Sequence, residues 1–228
     1  MFEHFKVKVV YDFRINDLLN GGQGAPLVPI YHKALFAKKN MKIMVVNIGG
    51  ISNFTFLDGL SELSASDIGP GNKLLDEFCL NSFKMHYDDK GKNASKGIIK
   101  KELVQVWSQK EFCNITIPKA FDSNSFKIND FVDKKKYSNY DTLRSLTYFT
   151  AKIIVDSKSF LKKKIDRWIF SGGGVKNKTL MCDLKNLIND SSLFVTDEFG
   201  YDSDFIESQA FAYISVRTLK GIPSAFPS

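Results

Sequence analysis

Residues 42–48 read Lys-Ile-Met-Val-Val-Asn-Ile, and this run constrains the fold more than any other segment. It is short, aliphatic and apolar on both faces, which is typical of a buried β-strand. Gly49 and Gly50 follow directly, and a second strand-like run begins at residue 53 and ends at residue 57. The two runs with the glycine turn between them predict a β-hairpin.

Strands and helices alternate along the rest of the chain. Three other segments have strand character, at residues 7–11, 166–170 and 194–196. Apolar residues recur at helical spacing in five segments, at 73–83, 98–109, 142–161, from about 177 and from about 203. Residues 66–72 are so rich in glycine that we predict a loop there. The alternation predicts an α/β fold.

Composition excludes several classes of protein. The 228 residues include 20 Phe, 8 Tyr and 2 Trp, far too many for an intrinsically disordered chain. No apolar run approaches the roughly 20 residues that span a bilayer, so we expect no membrane partner. The net charge is +7, yet only 4 of the 32 basic residues are Arg. Because specific readers of nucleic acid rely on Arg for bidentate base contacts, we expect no nucleic-acid partner.

The cysteines and histidines carry little chemistry in this pattern. The three cysteines, Cys79, Cys113 and Cys182, are widely spaced and odd in number, which favours reduced thiols and a cytoplasmic location. None of the three histidines has a second His or Cys at the spacing of metal ligands. We therefore predict no protein-bound metal site.

Glycine-rich turns beside strands and helices are the strongest functional signal. They occur at residues 20–24, 49–50, 66–72 and 171–174. Glycine lets the backbone approach a phosphate closely, and successive N–H groups at a helix start attract anions. A single such turn is more often only a tight turn, whereas several in one chain favour a phosphate-handling site. None has the pattern of a Walker A loop or a dinucleotide-binding fold.

Two carboxylates are candidates for catalysis. Asp67 precedes Gly69 and Gly71, where a carboxylate is a magnesium ligand, a general base or a residue that only shapes the turn. Glu207 follows Asp204 by three residues, which is also the spacing of a helix capping box. The residues alone leave these alternatives open.

Taken together, the motifs resemble the anhydro-N-acetylmuramic acid kinase family, sugar kinases of the actin/hexokinase-like ATPase superfamily. They occur in the family's order over nearly the whole chain. The matching residues are Asp12-Phe-Arg14, Asp17, Gly21–Pro29, His32, Asn47–Asn53, Asp67–Asn72, Tyr87-Asp88, Gly91, Pro118-Lys119, Gly172–Gly174, Asn177, Leu180-Met181, Glu207 and Ala210–Ala212.

The resemblance implies an actin/hexokinase-like (ribonuclease H-like) lobe, a mixed sheet flanked by helices, with a partial second lobe. Residues 1–41 are similar to the end of the N-terminal lobe, and residues 42–228 to the nucleotide-binding C-terminal lobe. The sugar-facing residues it implies are Asp12, Arg14, Asp17 and Gln23. The residues it implies for nucleotide or phosphate are Gly49, Gly50, Asn53, Gly69, Gly71, Asn72, Gly172, Gly173, Gly174 and Asn177.

The implied reaction converts 1,6-anhydro-N-acetylmuramic acid, ATP and water to N-acetylmuramic acid 6-phosphate and ADP in peptidoglycan recycling, with Mg²⁺ as cofactor. In this reading Asp67 is the general base that activates water, and Glu207 assists it. The small-molecule partners are the sugar and ATP. The alternative is a non-catalytic fragment of the same kinase that at most binds nucleotide weakly.

The sequence departs from the family pattern in places. The Gly-Thr-Ser-x-Asp-Gly phosphate loop of the family's N-terminal lobe is absent, so we expect truncation at both ends and no kinase activity from the 228-residue chain alone. A partner fragment or a homodimer would have to complete the cleft. Residues 119–124 read Lys-Ala-Phe-Asp-Ser-Asn, unlike the family's stretch at this place.

Overall fold

The computed structural model describes residues 2–21, 24–122, 124–132, 136–188 and 192–224. Its strands are β1 (Lys42–Ile48), β2 (Ile51–Asp58), β3 (Glu62–Pro70), β4 (Arg167–Ser171) and β5 (Leu193–Val195). Its α-helices are α1 (Phe2–Phe5), α2 (Ile15–Leu19), α3 (Pro29–Phe36), α4 (Asn72–Phe83), α5 (Lys101–Ser108), α6 (Glu111–Asn114), α7 (Asn139–Asp156), α8 (Lys178–Ile188) and α9 (Ile206–Leu219).

The five strands form one mixed sheet in the order β3-β2-β1-β4-β5. Strand β2 is antiparallel to both of its neighbours, whereas β4 is parallel to β1 and β5 is parallel to β4. Only β2 therefore runs against the others, which is the ribonuclease H-like arrangement. The predicted fold class is confirmed, and so is the hairpin of β1 and β2.

Helices cover both faces of the sheet because β1 is apolar on both sides. Met44 and Val46 point into the larger core, which α4, α5, α7 and α8 close. Ile43 and Val45 point the other way and pack against Phe36 of α3. Helix α3 in turn packs on α9, where the Tyr31 hydroxyl donates to Oε1 of Gln209 at 3.0 Å.

The loop predicted at residues 66–72 is wrong for most of its length. Residues 62–70 form β3, which pairs with β2 along its whole length, with one irregularity beside Ser52 and Asn53. The glycine content is explained by packing, because a Cβ on Gly69 would lie 2.9 Å from Cε2 of Phe112. Glycine here serves a crowded strand rather than a flexible turn.

The strand predicted at residues 7–11 is also wrong. These residues have no regular structure, and Val7, Val9 and Tyr11 are 53%, 41% and 74% exposed. An alternating run becomes a strand only when a neighbouring strand accepts its backbone hydrogen bonds. No strand of the described residues pairs with this segment.

None of the described helices is long and apolar enough to cross a membrane.

His32 on α3 is buried between the helix and the sheet. Its Nδ1 lies 2.8 Å from Oγ1 of Thr55 on β2, and its Nε2 has no hydrogen-bond partner in the described part of the chain. Burial lowers the pKa of His32 from its ordinary value to about 3. The folded protein therefore holds this imidazole in its neutral form.

The buried imidazole predicts acid sensitivity. Above pH 6.5 His32 is neutral in both the folded and the unfolded chain. Between pH 6.5 and about pH 3 the unfolded chain binds a proton at His32 and the folded chain does not. The free energy of unfolding should fall by about 1.4 kcal/mol per pH unit within this window because of His32. Urea unfolding at pH 7 and pH 5 should show a smaller loss in His32→Asn than in the wild type. His86→Asn, at an exposed position, is the control; equal slopes in both variants would contradict the prediction.

Candidate active site

Two glycine turns are fastened together at the carboxyl end of β1. The Gly49 carbonyl accepts from the Asn72 N–H at 2.8 Å, and the Gly50 carbonyl accepts from the Gly71 N–H at 2.9 Å. The Asn72 side chain adds a bond from Nδ2 to the Ile48 carbonyl at 3.1 Å. The start of α4 is therefore fixed directly against the hairpin turn.

The glycine turn that follows β4, at residues 172–174, closes on the same end of β1. Gly172 has a φ of +82°, and a Cβ there would lie 2.3 Å from Oδ1 of Asn47. A Cβ on Gly174 would lie 2.3 Å from Cγ2 of Ile48. Both glycines are required by close packing, so the turn after β4 and the hairpin turn meet at Asn47 and Ile48.

Other glycines of the site have no such internal reason. At Gly173 the nearest atom to an added Cβ is Nδ2 of Asn72 at 3.7 Å, and at Gly50 it is Cβ of Lys73 at 3.9 Å. Neither position has the positive φ that favours glycine. The fold tolerates a side chain here, so the space in front of these backbones is free for a ligand.

A row of polar residues crosses the sheet at this end. Asp67 pairs with Asn53, Asn53 with Asn47, and Asn47 with Ser171, so all four side chains share one face. The Ser171 hydroxyl is buried and has no partner in the described residues, as is true of Thr196 just beyond β5. The row joins the Asp67 carboxylate to the place where the glycine turns meet.

Asp67 is half-buried and held through one carboxylate oxygen. Its Oδ2 accepts from the Phe121 N–H at 2.8 Å, while no described residue bonds to its Oδ1. Burial raises the pKa of Asp67 above its ordinary value, although the Phe121 N–H and the Lys119 ammonium oppose this effect. The arrangement leaves a carboxylate oxygen available, on a group whose environment favours taking up a proton.

The structure places Glu207 in the first turn of α9, exposed to solvent. It does not form a capping box with Asp204. The helix begins at Ile206, later than predicted. Asp204 lies before it, where its carboxylate pairs with Lys176 and its backbone N–H donates to Oδ1 of Asp202. No hydrogen bond or ion pair within the described residues joins Glu207 to Asp67.

Asn177 is accounted for by local structure. Its Oδ1 accepts from the Leu180 N–H at 3.0 Å, which caps the start of α8. The same cap lies against Gly91, whose carbonyl accepts from the Thr179 hydroxyl at 2.8 Å. A side chain on Gly91 would strike Oδ1 of Asn177 at 2.2 Å, so the two residues depend on each other.

Two of the residues predicted to face a sugar, Arg14 and Asp17, bond to the same backbone position. Nη1 of Arg14 donates to the Gly24 carbonyl at 3.0 Å, and Oδ2 of Asp17 accepts from the Gly24 N–H at 2.7 Å. Asp12 is exposed at a φ of +59° just before α2. Gln23 lies outside the described residues. No described contact links this group to Asp67.

Comparison with known proteins identifies the family. The sequence model of the anhydro-N-acetylmuramic acid kinase family matches residues 1–228. The chain belongs to this family. The resemblance predicted from the motifs is thereby confirmed.

Kinases of this family from several bacteria are similar to the chain over most of its length. The one from Rhodopseudomonas palustris is 39% identical over 225 residues, which cover 98% of this chain and 60% of that protein. The one from Bradyrhizobium diazoefficiens is 37% identical over 224 residues and is covered to the same 60%. The chain thus spans about 60% of the length of these kinases.

Among solved structures, the activator of 2-hydroxyisocaproyl-CoA dehydratase from Clostridium difficile, with bound ADPNP, has a TM-score of 0.46 at 12% identity. The matched region covers 89% of this chain and 70% of the activator chain.

Within the family motifs, some site residues were not predicted from the sequence. Asn47 stands in the quoted run 47–53, but only the fold shows that it contacts Gly172 and continues the row from Asp67. The backbone of residues 119–121 contacts Ser66 and Asp67 from a distant part of the chain. The place of Asn47 just before the glycine turn at residues 49–50 was the available signal for it. No local pattern in the sequence indicates the other contacts.

Proposed function

We propose that this chain supplies the nucleotide-binding lobe and general base of an anhydro-N-acetylmuramic acid kinase. The reaction would take 1,6-anhydro-N-acetylmuramic acid, ATP and water to N-acetylmuramic acid 6-phosphate and ADP in peptidoglycan recycling. The observation that carries the proposal, within this family, is the polar row that joins Asp67 to the meeting point of the glycine turns. Its setting would be the cytoplasm, where ATP is available.

Asp67 would act as the general base. A water oxygen bonds to the anomeric carbon, the bond from that carbon to the bridging oxygen breaks, and the released oxygen at position 6 takes the γ-phosphoryl group. The proton from water goes to Oδ1 of Asp67, which no described residue occupies. The raised pKa of Asp67 favours this transfer. Glu207 would assist by orienting water once the cleft is closed.

The glycine turns would hold the phosphates. The open backbones at Gly50 and Gly173 flank Asn72, at the start of the 12-residue helix α4. A helix start carries a partial positive charge, which suits a phosphate. The first two N–H groups of α4, those of Asn72 and Lys73, donate to the Gly49 and Gly50 carbonyls. The proposed contacts also include Gly49, Asn53, Gly69, Gly71, Gly172, Gly174 and Asn177.

Magnesium would arrive with the nucleotide. No group of three or more His, Cys, Asp or Glu in the described ranges could hold a metal ion. A resident site built from several carboxylates therefore does not fit these residues. Mg²⁺ commonly binds phosphate oxygens and water with few protein ligands, which suits a magnesium–ATP complex.

The sugar would lie against the segment before β1. We propose that Asp12, Arg14, Asp17 and Gln23 contact it, and that residues 1–41 belong with an N-terminal lobe whereas residues 42–228 form the C-terminal lobe. Both Arg14 and Asp17 already bond to Gly24, so their orientation is fixed through a single backbone position. A partner fragment or a second copy of the chain would provide the opposing wall of the cleft.

A chimera tests the function. Residues 1–228 would replace the matching 60% of the Rhodopseudomonas palustris kinase, and ADP and sugar phosphate would be followed with ATP, magnesium and the anhydro sugar. We expect sugar-dependent product in stoichiometric amounts from the chimera and none from the 228-residue chain alone, because phosphoryl transfer requires a closed cleft. A folded but silent chimera would favour the alternative, a fragment that at most binds nucleotide, which the 60% coverage also allows.

Gly173→Val should weaken nucleotide binding without unfolding the protein. An added Cβ at this position meets only Nδ2 of Asn72, at the ordinary contact distance of 3.7 Å, so a side chain should obstruct chiefly a ligand that approaches the backbone. We expect ATP affinity in the chimera to fall at least about tenfold, which corresponds to about 1.4 kcal/mol, with the KM for sugar little changed. Calorimetric titration of ATP measures this directly. Unchanged ATP affinity would remove Gly173 from the proposed site.

A further inference from the structure

The segment before residue 122 runs along the outer edge of β3 and holds Asp67 at three points. The Asp67 N–H donates to the Lys119 carbonyl at 2.9 Å. The Lys119 N–H donates to Oγ of Ser66 at 2.9 Å, and that hydroxyl lies 2.9 Å from the Asp67 carbonyl. The Phe121 N–H closes the set on the Asp67 carboxylate.

We propose that Ser66 is a positioning residue for Asp67 and acts through the main chain of residues 119–121. Ser66 fixes Lys119, and the chain two residues later delivers the Phe121 N–H to Oδ2 of Asp67. This orientation directs Oδ1 to the reacting water. The inference rests on the proposed role of Asp67 as base and adds Ser66 as the residue that orients its carboxylate.

The segment is anchored on its far side as well. The Lys119 side chain is only 7% exposed, and its Nζ donates to the Phe112 carbonyl at 2.7 Å. The same ammonium lies 5.2 Å from the ring centre of Phe160. Since an ammonium is costly to bury without such partners, Lys119 fixes the segment against the aromatic core.

This arrangement places little requirement on the side chains of residues 119–124, the stretch that is expected to depart from the family's pattern. The groups that touch Asp67 are the Lys119 carbonyl and the Phe121 N–H, which any non-proline side chain provides. The side chains beyond Lys119 are then free to change while the contacts to Asp67 persist. The side chain that this arrangement requires is that of Ser66, which is fully buried and whose hydroxyl contacts the Lys119 backbone.

The test is Ser66→Ala in the chimera, with Ser64→Ala as its matched control. Ser64 lies two residues earlier on the same face of β3, and its hydroxyl makes no hydrogen bond to the described residues. We expect Ser66→Ala to lower kcat about tenfold or more, with both KM values within about twofold. Since the Phe121 N–H lowers the pKa of Asp67, its loss should move the acid limb of the kcat profile to higher pH. A merely structural loss would not move that limb.

A second pair keeps the test decisive where Ser66→Ala fails to fold. Phe121→Pro removes the N–H that reaches Asp67, whereas Phe121→Leu keeps it. The acid limb should shift in the proline variant and not in the leucine variant. Identical profiles for each variant and its control would overturn the inference. A fully active Asp67→Asn chimera would instead overturn the proposed function, so the two failures are distinguishable.

Discussion

Asp67→Asn in the chimera is expected to reduce turnover at least about a hundredfold, as loss of a general base should. Asparagine has the same size and retains an oxygen that accepts the Phe121 N–H. It cannot take a proton from water at neutral pH. The loss should therefore appear in kcat with sugar and ATP saturating, while the free energy of unfolding changes little.

Asp141→Asn is the matched control for this variant. The Asp141 carboxylate also accepts a backbone N–H, that of Ile98 at 2.7 Å, but it lies at the start of α7. We expect its turnover to stay near that of the parent chimera. Near-normal turnover of Asp67→Asn, measured as ADP and sugar phosphate over hours, would remove Asp67 from the role of base.

Gly71→Ala is expected to destabilise the protein strongly. A Cβ on Gly71 would lie 2.3 Å from the carbonyl oxygen of Gly49 and 2.8 Å from Oγ of Ser52. The first of these atoms is backbone and is already fixed by the Asn72 N–H, so it cannot move aside cheaply. We expect the free energy of unfolding to fall by about 3 kcal/mol, the upper range for overpacking a close contact.

Gly173→Ala is the comparison for Gly71→Ala, because a Cβ there meets only ordinary contact distances. Urea unfolding of both variants of the 228-residue chain should show the large loss in Gly71→Ala, with Gly173→Ala within about 0.5 kcal/mol of the wild type. Equal stabilities would mean that the hairpin turn shifts to admit the methyl group. The two positions thus separate glycines that the fold needs from those that a ligand needs.

Local patterns in the sequence predicted much of the architecture. Strand β1 was predicted with its observed limits, and helix α4 within one residue, because a continuous apolar run and helical spacing are properties of neighbouring residues. The order of the glycine motifs also identified the family, since each motif reflects a turn that is built within a few residues. Helix α3 was not predicted, because it is short and its burial depends on α9.

Pairing between distant segments could not be predicted in this way. Residues 62–70 form a strand because β2 lies beside them, and residues 7–11 do not because no described strand does. Residues 62–70 have the composition of a loop, and residues 7–11 have the composition of a strand. Backbone hydrogen bonds to a neighbour decide between strand and loop, and the neighbour is chosen by the whole fold.

The sequence by itself determined the α/β class, the hairpin, the family and the candidacy of Asp67. Only the tertiary structure decided which groups surround that carboxylate, since the Phe121 N–H that binds it comes from 54 residues away. The structure also separated Gly71, Gly172 and Gly174, which close packing requires, from Gly50 and Gly173, where an added Cβ meets only ordinary contact distances. A sequence records that a residue is glycine, whereas the reason depends on atoms from other segments that only folding brings within contact distance.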